Sequence, residues 1–281
     1  MQFTPFARIA PGQDGAIHDH LLFRFDNDAM ASVYDLTKAA PDTPLDPLCV
    51  FPLDNRAFVC PHSNASVFGP QRFEPEDPLP LLYTNVYNTY AREADRREGQ
   101  LCVYRIFRDD AQFSSKLVQL IQIGFTADPL WCADGKLLRP YGNFAIDAEH
   151  GLLYAFVMQE ANQCTRYFVF NLPAPHAGIE EDGLRRVVLT PADILATFDC
   201  PYQHFIQGAC VHAGLLYSLE GFTNDPNNPP AIRIIDLAAR QEIRHIHLQE
   251  LGLTHEPELI DFCGDACLYG DRPGNVFRVE E

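Results

Sequence analysis

Short runs of apolar and aromatic residues, each bounded by turn-forming residues, recur along the whole chain. One tripeptide marks the recurrence. Leu21-Leu22-Phe23, Leu81-Leu82-Tyr83, Leu152-Leu153-Tyr154, Leu215-Leu216-Tyr217 and the looser Cys267-Leu268-Tyr269 begin at intervals of 60, 71, 63 and 52 residues. Each reads as a β-strand. A shorter strand precedes each run: Gly15-Ala16-Ile17, Ala65-Ser66-Val67-Phe68, Asn143-Phe144-Ala145-Ile146, Gly208-Ala209-Cys210-Val211 and Leu259-Ile260. A third strand follows, as in Val33-Tyr34-Asp35-Leu36 or Val276-Phe277-Arg278-Val279. Four repeats then add a fourth strand, at 48–51, 117–123, 186–189 and 242–247, while the fifth runs out of chain.

Five four-stranded antiparallel units in a row predict an all-β, five-bladed β-propeller, because radial repetition protects strand edges that otherwise invite aggregation. A two-layer β-sandwich would account for the alternation and the turns, but not for five recurrences of the same strand order. The last repeat lacks its outer strand, and Phe3 to Ile9 forms a strand with no repeat of its own. Pairing the two closes the ring. The chain therefore reads as a single propeller domain, with blades at 13–53, 62–123, 141–189, 204–248 and 255–281 completed by 1–9. Ala91 to Gly99 is a charged stretch suited to one or two helical turns, and 222–231 is a breaker-rich excursion. Thr190-Pro191-Ala192-Asp193 before Ile194-Leu195-Ala196 reads as a capped short helix.

Placing the innermost strands in register puts Asp14, Asn64, Asn143, Gln207 and Glu258 in one column, where they would form a polar ring around the central channel. Such a ring suits a small polar ligand held by many hydrogen bonds, carbohydrate among them, or a hard cation such as calcium. It also suits a channel lined with water. His62, Tyr141, His204, His255 and Glu256 precede the same strands and stand nearest the mouth. His62 and His204 are the candidates for proton transfer, with Glu256 beside them, because imidazole titrates near neutral pH. Glu220-Gly221 either points to the mouth or starts a turn.

At the level of blade architecture the whole chain resembles five-bladed β-propellers, a group that includes arabinanase-type glycosidases, calcium-dependent nucleotidases and sugar-binding lectins. Arabinanase-like enzymes bring acidic residues from several blades to the channel, as paired-carboxylate chemistry requires. Three of the five members of the present column are amides, which supply neither an acid nor a base. The readings carried forward are a binder of a small polar molecule or carbohydrate, a hydrolase or lyase using channel-mouth His and Glu residues, and an interaction scaffold for a protein partner.

Charge narrows the partners. The 281 residues carry 38 acidic and 21 basic side chains, a formal net charge of -17, with no basic stripe. Nucleic acid and anionic membrane surfaces are thereby disfavoured. Nine cysteines, an odd number without a repeated short spacing, suit free thiols in a reducing compartment. With no apolar leader at the start, the expected location is the cytoplasm. Cys263 and Cys267 have no matching second pair for zinc. His18 with His20, and His245 with His247, have a spacing compatible with a metal, although exposed strand histidines share it. Asn64-Ala65-Ser66 matches a glycosylation sequon but falls on an inner strand. The phosphate-binding, dinucleotide, zincin and α/β-hydrolase motifs are missing.

Overall fold

In the computed structural model the described residues are 1–41, 43–59, 61–86, 99–123, 143–159, 163–203 and 205–280, with backbone alone at 132–133, 136–137 and 159. The chain opens with β1 (Gln2–Arg8) and continues into blade I with β2 (Gly15–His18), β3 (Leu21–Phe25), β4 (Met30–Asp35) and β5 (Cys49–Pro52). Blade II follows with β6 (Ser66–Phe68), β7 (Leu82–Val86), β8 (Gln100–Asp109) and β9 (Gln112–Ile123). Two short strands paired antiparallel, β10 (Cys132–Ala133) and β11 (Lys136–Leu137), lie between blades II and III in the chain. Blade III contains β12 (Phe144–Asp147), β13 (Leu152–Gln159) and β14 (Cys164–Asn171); the chain then passes through β15 (Ile179–Glu181) and β16 (Leu184–Leu189) before reaching β17 (Ala196–Pro201). Blade IV is β18 (Ile206–His212), β19 (Leu215–Glu220), β20 (Ala231–Asp236) and β21 (Gln241–His247). Blade V is β22 (Pro257–Cys263), β23 (Ala266–Asp271) and β24 (Asn275–Glu280), with β1 as its outer strand.

The ring is a five-bladed propeller closed by its own chain ends. β1 pairs antiparallel with β24 from Gln2 opposite Glu280 to Arg8 opposite Asn275. Phe3 sets its ring edge-on to that of Tyr269, with centroids 5.4 Å apart. Pro5 sits at the pairing irregularity of this outer strand, where a missing N–H does least harm to a ladder.

The third blade departs from the sequence pattern. Its fourth strand is Ala196–Pro201, not 186–189. Leu184–Leu189 instead pairs in parallel with β9 of blade II, from Arg185 opposite Gln119 to Leu189 opposite Ile123, and carries β15 as a further antiparallel strand. The helix expected after Thr190 is one 3-10 turn, Pro191–Asp193, whose Asp193 carboxylate accepts from the Thr190 N–H and hydroxyl, both at 2.7 Å. Leu195 has already left it, donating its N–H to Val169 at 2.8 Å. The 91–98 part of the charged stretch lies outside the described residues.

The core is divided into wedges between neighbouring blades. Phe23, Leu82 and Tyr104 share one wedge between blades I and II; Tyr83, Leu153 and Phe168 share the next, between II and III. Tyr154 and Leu216 meet between III and IV, Leu219 and Tyr269 between IV and V, and Leu22 and Leu268 between V and I. Two consecutive strand residues thus face opposite wedges, which is why the Leu-Tyr pair repeats: the leucine packs backwards and the aromatic ring forwards. Removing a buried ring of this kind costs about 3–5 kcal/mol. In blade V the pair is displaced by one residue. Cys267 and Leu268 occupy the repeating positions, while Tyr269 packs back against blade IV.

Candidate functional site

The innermost strands β2, β6, β12, β18 and β22 surround the axis, and their pairing with the second strands fixes a common row. Asp14 accepts from the N–H of Phe25 at 3.1 Å, Ala65 from that of Asn85 at 3.1 Å, and Asn143 from that of Phe156 at 3.1 Å. Gly208 opposite Leu219 and Leu259 opposite Gly270 complete the row. The expected column therefore splits. Asp14 and Asn143 share this row, whereas Asn64, Gln207 and Glu258 lie one residue earlier. Gln207 and Glu258 each sit where the strand pairing slips by one, between Ile206 and Gly208 and between Pro257 and Leu259. Such a bulge re-aims its side chain, so the slip does not carry these two out of the interior. All five column residues are buried.

The side chain of Asp14 reaches across the interior to other blades. Asp14 Oδ2 accepts the N–H of Ser66 in blade II at 2.8 Å. The same carboxyl group faces Gly208 of blade IV, where a Cβ would stand 3.2 Å from its Cγ. Asp14 thus spans from its own blade to two others, and burial holds its carboxyl well above the usual carboxylate range against the pull of the Gly15 and Ser66 amides. Glu258 is fully buried, and among the described residues neither of its oxygens has a hydrogen-bond partner. Burial pushes it up to about 8, with the nearby Arg24 guanidinium opposing the rise.

Arg24 is the buried cation of this interior, and the sequence pattern did not single it out. Its guanidinium donates to the backbone oxygens of Glu258 at 3.1 Å, Gly12 at 2.9 Å and Asp271 at 3.1 Å. One side chain thus clamps blade I to blade V. The signal was present in the sequence as a lone arginine inside Leu21–Phe25, where every other residue is apolar and buried.

Nearer the mouth, Glu256 is the centre of a second cluster. Its Oε1 accepts from Gln207 Nε2 at 2.8 Å and its Oε2 from Arg272 Nη1 at 2.6 Å. The Glu256 N–H donates to Thr223 Oγ1 at 2.8 Å, and its carbonyl accepts the N–H of Arg272 at 2.8 Å. Gln207 Nε2 also reaches the carbonyl of Gly221 at 3.2 Å. The Glu256 side chain is only 9% exposed, but that of Arg272 is 53% exposed. His62, from the loop before β6, lies within the field of Arg272; burial and that positive charge lower its pKa below the ordinary imidazole value.

The remaining expectations fall elsewhere. Asn64 accepts from Asn85 Nδ2 within blade II, consistent with a buried side chain and not with an exposed sequon. Asn143 is buried at the start of β12. Tyr141 and His204 lie outside the described residues. Glu220 does not join the mouth; its Oε1 accepts from Arg233 Nε and faces His245 Nε2, both at 2.9 Å. Cys263 donates to the carbonyl of Asp19, and burial raises the thiols of Cys263 and Cys267. Among the described residues no group of three or more His, Cys, Asp or Glu side chains is placed to hold a metal ion, and no helix is long and apolar enough to cross a membrane.

No protein-family model matches the chain, and no curated protein matches it. Among solved structures it is similar to glutaminyl cyclase from Myxococcus xanthus, at 11% identity and a TM-score of 0.49, covering 100% of this chain and 94% of that one. It is also similar to Sqt1 from Saccharomyces cerevisiae, at 8% identity and a TM-score of 0.38, covering 94% of this chain and 56% of that one. Neither likeness carries an argument about activity.

Proposed function

We propose that the mouth formed by His62, Gln207, Glu256 and Arg272 binds a small polar ligand, with carbohydrate as the class that suits it best. The observation that carries this reading is the chain Gln207–Glu256–Arg272: a buried carboxylate holds one end of a guanidinium whose side chain is half-exposed. Holding the donor in place beforehand reduces the ordering cost of binding. A sugar hydroxyl both donates and accepts, so a site offering guanidinium, amide and imidazole groups in one place matches it. Asp14, Asn143 and Glu258 form the floor in this reading, too deep for direct contact with a ligand held above.

Calorimetric titration with a panel of neutral sugars and sugar acids tests the proposal. Saturable binding that weakens at least about tenfold in Arg272→Ala is the expected result, a loss on the scale of one charge-assisted hydrogen bond. A panel without a binder rejects the carbohydrate class, and unchanged affinity in Arg272→Ala rejects the mouth.

Catalysis by a hydrolase or lyase route is the second reading, favoured by one observation. His62 is shifted towards its neutral form, the state that accepts a proton at pH 7, and stands in the field of Arg272 at the same mouth as Glu256. Turnover of any ligand found above, abolished in His62→Ala while binding persists, would support it.

A further inference from the structure

We infer that the outer strand of blade IV carries a binding site for a divalent transition ion, formed by the His245 and His247 imidazoles. The two residues alternate along β21, so their side chains leave the same face of the sheet. Their ring centroids lie 4.4 Å apart, with the planes inclined at 52°. Both line a cavity of about 260 Å³ together with Arg244, Glu250 and Leu251.

The separation selects a coordination geometry. An imidazole nitrogen binds such an ion at about 2.0–2.1 Å along the ring axis, so two rings at right angles on one ion stand roughly 4.5 Å apart between centroids, and two at the tetrahedral angle roughly 5.2 Å. The observed spacing fits adjacent positions of a square-planar or octahedral ion, which favours Cu(II) or Ni(II) over Zn(II).

The surroundings of His245 prepare it as a ligand. Its Nε2 faces Oε1 of Glu220, a carboxylate only 4% exposed that is itself held by Arg233 Nε at 2.9 Å. Arg233 in turn reaches Glu242 at 2.5 Å. A carboxylate accepts only, so His245 donates through Nε2, and Nδ1 is the nitrogen that would take the ion. A carboxylate behind a histidine that fixes the tautomer is the usual support of a metal-ligating imidazole. With two nitrogens from the protein, the other coordination positions remain open to water or to donor atoms of a small molecule, so the site is one for loading or exchange and not a structural cage.

Titration of chelator-treated, metal-free protein with CuCl2 or NiCl2 at pH 7.5, read by calorimetry and, for copper, by electron paramagnetic resonance, tests this. One ion per chain, a spectrum with two imidazole nitrogens, and Zn(II) weaker than Cu(II) are expected. His247→Ala, an exposed position whose loss leaves the fold intact by thermal unfolding, should weaken Cu(II) binding at least tenfold. Glu220→Gln should weaken it about tenfold while the two-nitrogen signature persists, because it acts through His245. Copper binding with unchanged affinity in His247→Ala, or a spectrum with fewer than two imidazole nitrogens, overturns the proposal.

Discussion

Asp14, at the head of the first blade's inner strand, accepts a 2.8 Å hydrogen bond from the backbone N–H of Ser66 in the second blade. Asp261 does the same between blades V and I, accepting from the N–H of Ile17 at 2.6 Å. In both pairs the carboxylate reaches one step further along the neighbouring strand. Adjacent inner strands lie in different sheets and share no ladder, so side-chain oxygens supply bonds that ladder partners would otherwise make.

Asp14→Ala should therefore leave the buried Ser66 N–H unsatisfied and destabilise the fold by about 1–3 kcal/mol, whereas Asp14→Asn, which keeps an oxygen there, should cost less. Denaturant unfolding of both variants measures the difference. Equal losses would mean that the amide oxygen of asparagine does not take the place of the Asp14 acceptor oxygen at the Ser66 N–H.

Glu258 ties stability to pH. Its folded value near 8 lies above the ordinary 4.5, so the folded chain binds this proton more tightly than the unfolded one. Its contribution is fully present below about pH 4.5, declines as pH rises, and is gone above about 8. Glu258→Gln should gain melting temperature relative to the parent on going from pH 5 to pH 8. A constant difference between the two proteins across that range would contradict the buried, proton-holding carboxyl.

Arg24 donates to three carbonyl groups on two blades, and each bond is made in the interior. Arg24→Met strands those acceptors and should destabilise by about 3 kcal/mol or more. Arg24→Lys should recover little, because a single ammonium group cannot reproduce the planar fork. Substantial rescue by lysine, seen in denaturant midpoints, would show that charge alone holds the blades.

Deleting residues 1–9 removes the outer strand of blade V and bares the edge of β24. An exposed edge templates pairing with other chains, so light scattering should show more association than for the intact chain. A truncated chain that stays dispersed, with unchanged thermal unfolding, would make β1 dispensable.

The repeat of leucine and aromatic residues was legible because each member of the pair faces a different wedge, a demand that every blade imposes on its second strand. Closure by Phe3 to Ile9 was legible for a similar reason: the fifth repeat lacked a strand that the N-terminus supplied. The partner of Leu184–Leu189 was not legible. Its sequence suits a strand equally well in either of two sheets, and only the parallel fit against Gln119–Ile123 decides between them. The column of polar residues splits by one position, in blades IV and V because bulges at Gln207 and Glu258 leave no mark in an alternation pattern. Arg24 escaped notice as a single charge in an apolar run, and Arg272 as part of an ordinary turn.

The joining of β1 to β24 also sets an order on synthesis. Of the strands in the ring β1 is made first and its ladder partner β24 last, so blades I to IV emerge while Gln2–Arg8 is still unpaired. The ring locks only once β24 has emerged, and until then the unpaired edge of β1 is where a chaperone would find a persistent target.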